Sequence, residues 1–154
     1  MIKVLFICHG NICRSPMAEF IFKDIVIKNE KEDMFIVESR ATSSEELGNG
    51  IYYAAKEVLN RRGIPFDANK YAQRLTKSDY ENFDYLIYMD DWNLYGINKI
   101  ISEDVYGKVH KLLTYAGLSR DVEDPWYSRN FDKAFDDIML GCTKLYDFLL
   151  KNHN

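Results

Sequence analysis

A short apolar, β-branched run, Lys3 to Ile7, stops at His9-Gly10 and gives way within a few residues to a helix start at Ser15-Pro16. A run that is hydrophobic at consecutive rather than alternate positions predicts a strand buried on both faces. Serine followed by proline predicts an N-cap and a first helical residue, and Met17, Ile21 and Ile25 continue along one helix face. A strand with both faces covered, feeding a helix through a tight loop, leaves few architectures open. The remainder of the chain repeats the alternation. Phe35 to Ser39 predicts a second strand, and after the polar stretch SSEELGNG a helix is expected from about Ile51 to Arg62, ending at Gly63. Asp84 to Met89 predicts a third strand, Asp91 to Ile97 a short helix, and Val105 to Leu112 a weaker strand before a long loop centred on Asp124-Pro125. Phe131, Phe135, Ile138, Cys142, Leu145 and Leu149 alternate spacings of four and three, the stripe of an amphipathic helix.

Strands alternating with helices predict an α/β fold, a three-layer sandwich whose central four-stranded parallel sheet is flanked by helices. No repeat, linker or low-complexity stretch divides the 154 residues, so one domain over 1–154 is expected. In such sheets ligands bind beyond the carboxyl ends of the strands, near the switch point. The loop after the first strand is therefore the first place to look for chemistry.

Charge and cysteine content narrow the partners. The net charge of −4, without any block of basic residues, argues against nucleic acid or an anionic membrane as the main partner. A small anionic ligand stays open, because one pocket can oppose the sign of the whole. The apolar stretch at the start is too short to span a membrane and lacks a signal-peptide cleavage context, so a cytoplasmic location without membrane insertion is expected. Cys8, Cys13 and Cys142 form neither a disulfide framework nor a zinc-ligand set, which fits free thiols.

The loop Cys8-His9-Gly10-Asn11-Ile12-Cys13-Arg14-Ser15 carries a cysteine at the strand end and an arginine at the helix start. Cys-(x)5-Arg alone is a weak motif; its position between strand and helix makes it specific. There, successive backbone N–H groups and the helix dipole favour an anion, and Gly10 and Asn11 tolerate the backbone angles such a nest needs. Arg14 offers a planar fork for two phosphate oxygens. The same positive surroundings would favour a Cys8 thiolate able to attack phosphorus. Ser15 is expected to cap the helix, to donate to that thiolate, or both.

The stretch VLFICHGNICRSPMAE resembles the N-terminal signature of the low-molecular-weight protein tyrosine phosphatases, and VEDPWYSRNFDKAFDDI resembles that family's Asp-Pro loop and following helix. SRAT at Ser39 to Thr42 and Met89-Asp90 with Asn93 are similar to further family segments in the expected order. The resemblance implies hydrolysis of phosphotyrosine in a protein or peptide, releasing inorganic phosphate, with no metal and no cofactor. It assigns Cys8 as nucleophile, Arg14 as phosphate clamp and Asp124 as general acid, then base on water. His9, Gly10, Asn11, Ile12, Cys13 and Ser15 would surround the phosphate, and Trp126 and Tyr127 would wall a flat ring. Bottom-up chemistry asks for the same parts, since a leaving oxygen needs a proton and a thiophosphate needs an activated water.

Departures from the pattern concern the surroundings. Ala41 replaces a usual Gly, Glu45 replaces a frequent Trp and makes one wall more acidic, Lys70 stands where a His is common, and Ser128-Arg129 stands where Gly often follows. Phosphoarginine hydrolysis is the runner-up; similar enzymes of that kind tend to carry Thr where this chain has Ile12, whose apolar side chain favours a phenyl ring. Arsenate reduction is disfavoured by the lack of mid-chain cysteines, and a mere phosphate-binding module would need neither nucleophile nor acid. Cys13, five residues from Cys8, suggests a reversible disulfide that would shelter an oxidised Cys8, or simply a small residue filling space.

Overall fold

Burial along the first strand sets the architecture. In the computed structural model, which describes residues 1–153, Val4, Leu5, Phe6 and Ile7 are all fully buried on β1 (Ile2–Cys8). Val4 and Phe6 belong to the larger core, with helices α1 (Arg14–Lys28), α2 (Tyr53–Arg61) and α6 (Phe131–Asn152). Leu5 and Ile7 point the other way, into a smaller core with residues of α3 (Lys77–Asn82) and α4 (Asp91–Ile101). The sheet has the order β2-β1-β3-β4 and every pairing is parallel, with β2 at Phe35–Ala41, β3 at Tyr85–Tyr88 and β4 at Val109–Lys111. The expected three-layer α/β sandwich is the fold found. Because β1 pairs with β2 on one side and β3 on the other, the chain reverses direction across the sheet at β1, and its carboxyl end is the switch point.

The structure departs from these expectations in four places. The weak strand expected over 105–112 shrinks to Val109–Lys111. Asp104 accounts for it: its carboxylate accepts from Lys108 N and Val109 N and from Tyr80 Oη, folding the preceding residues into a turn with Gly107 at φ 64°. Helix α3 went unread, although Thr76 and Asp79 form a capping box at its start. Ser15 is not the N-cap of α1; that position belongs to Cys13, and Ser15 lies inside the first turn. The loop centred on Asp124 also holds a single helical turn, α5 (Pro125–Ser128).

Helix α6 comes close to the segment after β4 because Gly141 lacks a side chain. A Cβ there would stand 2.5 Å from Leu112 Cγ. Alanine in a helix interior gains roughly 0.5–1 kcal/mol over glycine, whereas forcing a methyl into a filled core costs roughly 1–3 kcal/mol. Packing wins, so Gly141→Ala is expected to lower the urea unfolding midpoint; a raised midpoint would show that Leu112 yields freely.

Candidate active site

The loop from His9 to Cys13 joins the end of β1 to the start of α1. Its carbonyls are turned outward: Thr42 N donates to Cys8 O, Ser43 N to His9 O, Tyr52 N to Ile12 O and Met17 N to Cys13 O, at 2.9–3.1 Å. Among the described residues, none takes a hydrogen bond from the backbone N–H groups of Gly10 to Arg14. A curled run of unpartnered N–H groups at a helix start is an anion nest. Asn11 makes the curl at φ 58°, in the left-handed region; Gly10 does not, so only half of the expectation about these two residues is met.

Asn11 does more than tolerate its angle. Buried, it donates from Nδ2 to Ser15 Oγ at 2.8 Å and Ser39 Oγ at 2.9 Å, and its Oδ1 accepts from Gln73 N at 3.1 Å. With Ser15 Oγ occupied as an acceptor, its own hydrogen has two acceptors in reach, Cys8 Sγ at 3.0 Å and Arg40 O at 3.5 Å, and Ser15 N donates to the same sulfur at 3.4 Å. Behind Ser39, its hydroxyl donates to Glu19 at 2.6 Å, and Lys70 Nζ reaches Ser39 O at 3.1 Å and lies 3.7 Å from Glu19. Burial pulls the Lys70 ammonium below its usual range, with Glu19 opposing that pull. Lys70, which stands where the family pattern has a His, thus enters the network behind the loop.

Arg14 is buried, with 2% of its side chain exposed. Nη1 donates to Asp90 Oδ2 at 2.6 Å and to Val122 O at 2.8 Å, and Nη2 lies 3.4 Å from Asp124 Oδ2. Burial works against its charge, but Cys8, Asp90 and Asp124 together raise the guanidinium above its ordinary range. Asp90 is held in turn by its other oxygen, which accepts from Asn93 N in the capping box of α4. The Asp124 segment is tied down by Val122 N to Met89 O at 2.9 Å, by Lys111 to Asp121 and by the paired Arg120–Asp137 bonds. Asp124 caps α5, accepting from Trp126 N at 3.0 Å.

These parts enclose a cavity of about 180 Å³. Cys8, His9, Gly10, Ile12, Cys13 and Arg14 line its floor, Glu45 and Glu46 one wall, and Asp124, Trp126 and Tyr127 the other. The side chains of Asn11 and Ser15 lie behind the loop, spent on Ser39, Gln73 and Cys8, while the backbone N–H of Asn11 is part of the nest. Trp126 packs against Tyr52, while Tyr127 is 83% exposed. Arg129, in the left-handed conformation at φ 58°, lies over the rings of Tyr52, Trp126 and Phe131. Cys13 is buried beside the cavity floor, and burial, then the charges of Cys8 and Asp124, push its thiol up; a protonated thiol attacks an oxidised neighbour slowly. Cys142 sits in the core, as its place on the α6 stripe implied. Among the described residues no group of three or more His, Cys, Asp or Glu side chains is placed to hold a metal ion, and no helix is long and apolar enough to cross a membrane.

Sequence reasoning missed the roles of Asp90, Glu19 and Ser39. Asp90 carried a local signal, the Asp-x-x-Asn capping pattern, but nothing local links it to Arg14, 76 positions away.

Known proteins resemble this chain over nearly its whole length. Residues 3–154 match the family model described as low molecular weight phosphotyrosine protein phosphatase. A low molecular weight protein-tyrosine-phosphatase, PtpA of Staphylococcus aureus, is 36% identical over 155 residues, covering 100% of this chain and 97% of its own. The crystal structure of YfkJ from Bacillus subtilis superimposes with a TM-score of 0.95 at 36% identity, covering 100% and 98% of the two chains. That of a Drosophila arginine phosphatase gives 0.85 at 28% identity, with 99% of each chain covered.

The buried network yields a stability prediction. Asn11→Ala and Asn11→Gly both remove the three side-chain bonds, but only alanine also carries left-handed strain, on the order of 1 kcal/mol. Both variants are expected to unfold at lower urea than the parent, Asn11→Ala the lower of the two. Equal midpoints would mean that the left-handed angle relaxes.

Proposed function

Because the chain belongs to the low molecular weight phosphotyrosine protein phosphatase family, we propose that it hydrolyses protein phosphotyrosine through a phosphocysteine, with Cys8 as nucleophile. The observation that carries this reading is that Asp124, 110 positions beyond Arg14 in the sequence, lines one cavity with Cys8 and Arg14. The phosphate would sit in the nest of N–H groups, gripped by the free edge of the Arg14 guanidinium. Cys8 Sγ, as the anion, attacks phosphorus; the P–O bond to the phenol breaks, and Asp124 gives its proton to the departing oxygen. Asp124, now a carboxylate, takes a proton from water as that water attacks the phosphocysteine, releasing inorganic phosphate and restoring the Cys8 anion. No metal or cofactor enters this scheme.

Phosphoarginine is the competing substrate, and the structural similarity to an arginine phosphatase gives it weight. Ile12 on the cavity floor favours the phenyl ring, since an apolar side chain leaves a guanidinium's donors unpaired there. Turnover of a phosphotyrosine peptide is expected to exceed that of the matched phosphoarginine peptide; the reverse order would overturn the Ile12 argument.

Two substitutions test the scheme. With a chelator present, Cys8→Ser is expected to lose p-nitrophenyl phosphate hydrolysis while still binding phosphate, and unchanged turnover would sink the mechanism. Asp124→Asn is expected to slow turnover at saturation by about 10²–10⁴-fold, with phosphate affinity retained. Normal turnover there would transfer the acid's role elsewhere.

A further inference from the structure

The cavity that would take phosphotyrosine has a negative rim, although its ligand is an anion. Glu45 and Glu46, in the segment between β2 and α2, form one wall. Both are placed by contacts with the floor. Glu45 Oε2 lies 3.0 Å from His9 Nε2, and a Cβ on Gly10 would meet Glu46 Cγ at 3.4 Å. Glu45 is nevertheless outward-facing, with 71% of its side chain exposed. On the far side, Asp124 and Tyr127 are shared with a second, shallower cavity of about 320 Å³ that Trp92 and Glu123 also line.

Lysine and arginine do not balance this rim; the basic side chain beside it is His9, paired with Glu45 and charged only when protonated. Among the described residues, Arg14 is the sole arginine or lysine lining either cavity, and it is on the buried floor, already tied to Asp90 and Val122 O. Lys111 is held between Asp91 and Asp121, and Arg129 lies on aromatic rings with Nη2 bonded to Tyr52 Oη. Lys133 comes only within 3.5 Å of Glu123, at the outer edge. A phosphotyrosine side chain that puts its dianion on the floor must lay the residues before and after it across Glu45 and Glu46 on one side, or beside Glu123, Trp92 and Tyr127 on the other. Carboxylates with exposed aromatic faces nearby receive ammonium and guanidinium groups and repel carboxylates.

We propose that Glu45, with Glu46, is a specificity-determining residue that selects phosphotyrosines flanked by lysine or arginine over those flanked by aspartate or glutamate. The proposal rests on the phosphotyrosine reading above and deepens it by naming the substrate class. Exposed ion pairs are individually weak, so the selection is a matter of several-fold differences.

The test compares kcat/KM for phosphotyrosine peptides with basic, alanine or acidic neighbours, each divided by the value for p-nitrophenyl phosphate on the same protein. The expected order is basic, alanine, acidic, spanning about tenfold at low salt. The span should collapse towards one near 1 M salt, where the screening length is about 3 Å. Glu45→Gln is expected to narrow the span about threefold, and Glu45→Lys to favour the acidic peptide. Normalised values that ignore the neighbours, or that favour acidic ones in the unmodified protein, would overturn the proposal while leaving the phosphatase reading intact. Failure to hydrolyse p-nitrophenyl phosphate and every peptide would overturn both.

Discussion

A buried guanidinium organises this molecule. Taking Arg14 out of water costs several kcal/mol unless its charge is met by well-placed acceptors, and those acceptors come from separate parts of the chain. Asp90 begins α4, the Val122 carbonyl belongs to the segment after β4, and Asp124 caps α5. Arg14 itself opens α1. Satisfying one charge therefore draws three loops at the carboxyl end of the sheet into contact, and the cavity lies where they meet. The guanidinium is locked in place before any ligand arrives, so little is lost in ordering it on binding.

Asn11 supplies the second constraint. Its side chain fixes a left-handed residue and bonds Ser15, whose hydroxyl oxygen lies 3.0 Å from Cys8 Sγ. The network continues through Ser39 and Glu19 to Lys70, so the nest is braced from the core side and open only towards the cavity. Net charge and site charge are thereby decoupled. The chain carries −4 overall and a negative rim, yet the floor gathers N–H groups, a helix start and Arg14. The floor suits a phosphate; the rim bears on what surrounds it.

Much of the architecture was legible because burial on both faces of a strand demands consecutive apolar residues, and Lys3 to Ile7 and Asp84 to Met89 have them. The α6 stripe was equally plain, since a 3.6-residue period is a local property. The loop was readable as a candidate anion site because Cys8 and Arg14 lie six positions apart on one strand–loop–helix unit. What sequence could not yield depends on tertiary contact. Ser15 looked like a cap because Ser-Pro is a local signal, but the hydroxyl is drawn inward by Asn11 and Cys8. Asp90 and Glu19 serve partners many residues distant, and Asp104 ends a strand that apolar residues alone would have extended. The resemblance of VEDPWYSRNF to a family segment placed Asp124; composition would have left it a turn residue.

The proposed mechanism turns on a covalent bond between phosphorus and the Cys8 sulfur. Acid-quenching the enzyme during turnover of p-nitrophenyl phosphate, then mapping proteolytic peptides by mass spectrometry, tests it directly. One added phosphoryl group is expected on the peptide containing Cys8, lost when Cys8→Ser replaces the parent. Steady turnover with that peptide unmodified, or with the phosphoryl group on another side chain, would contradict it.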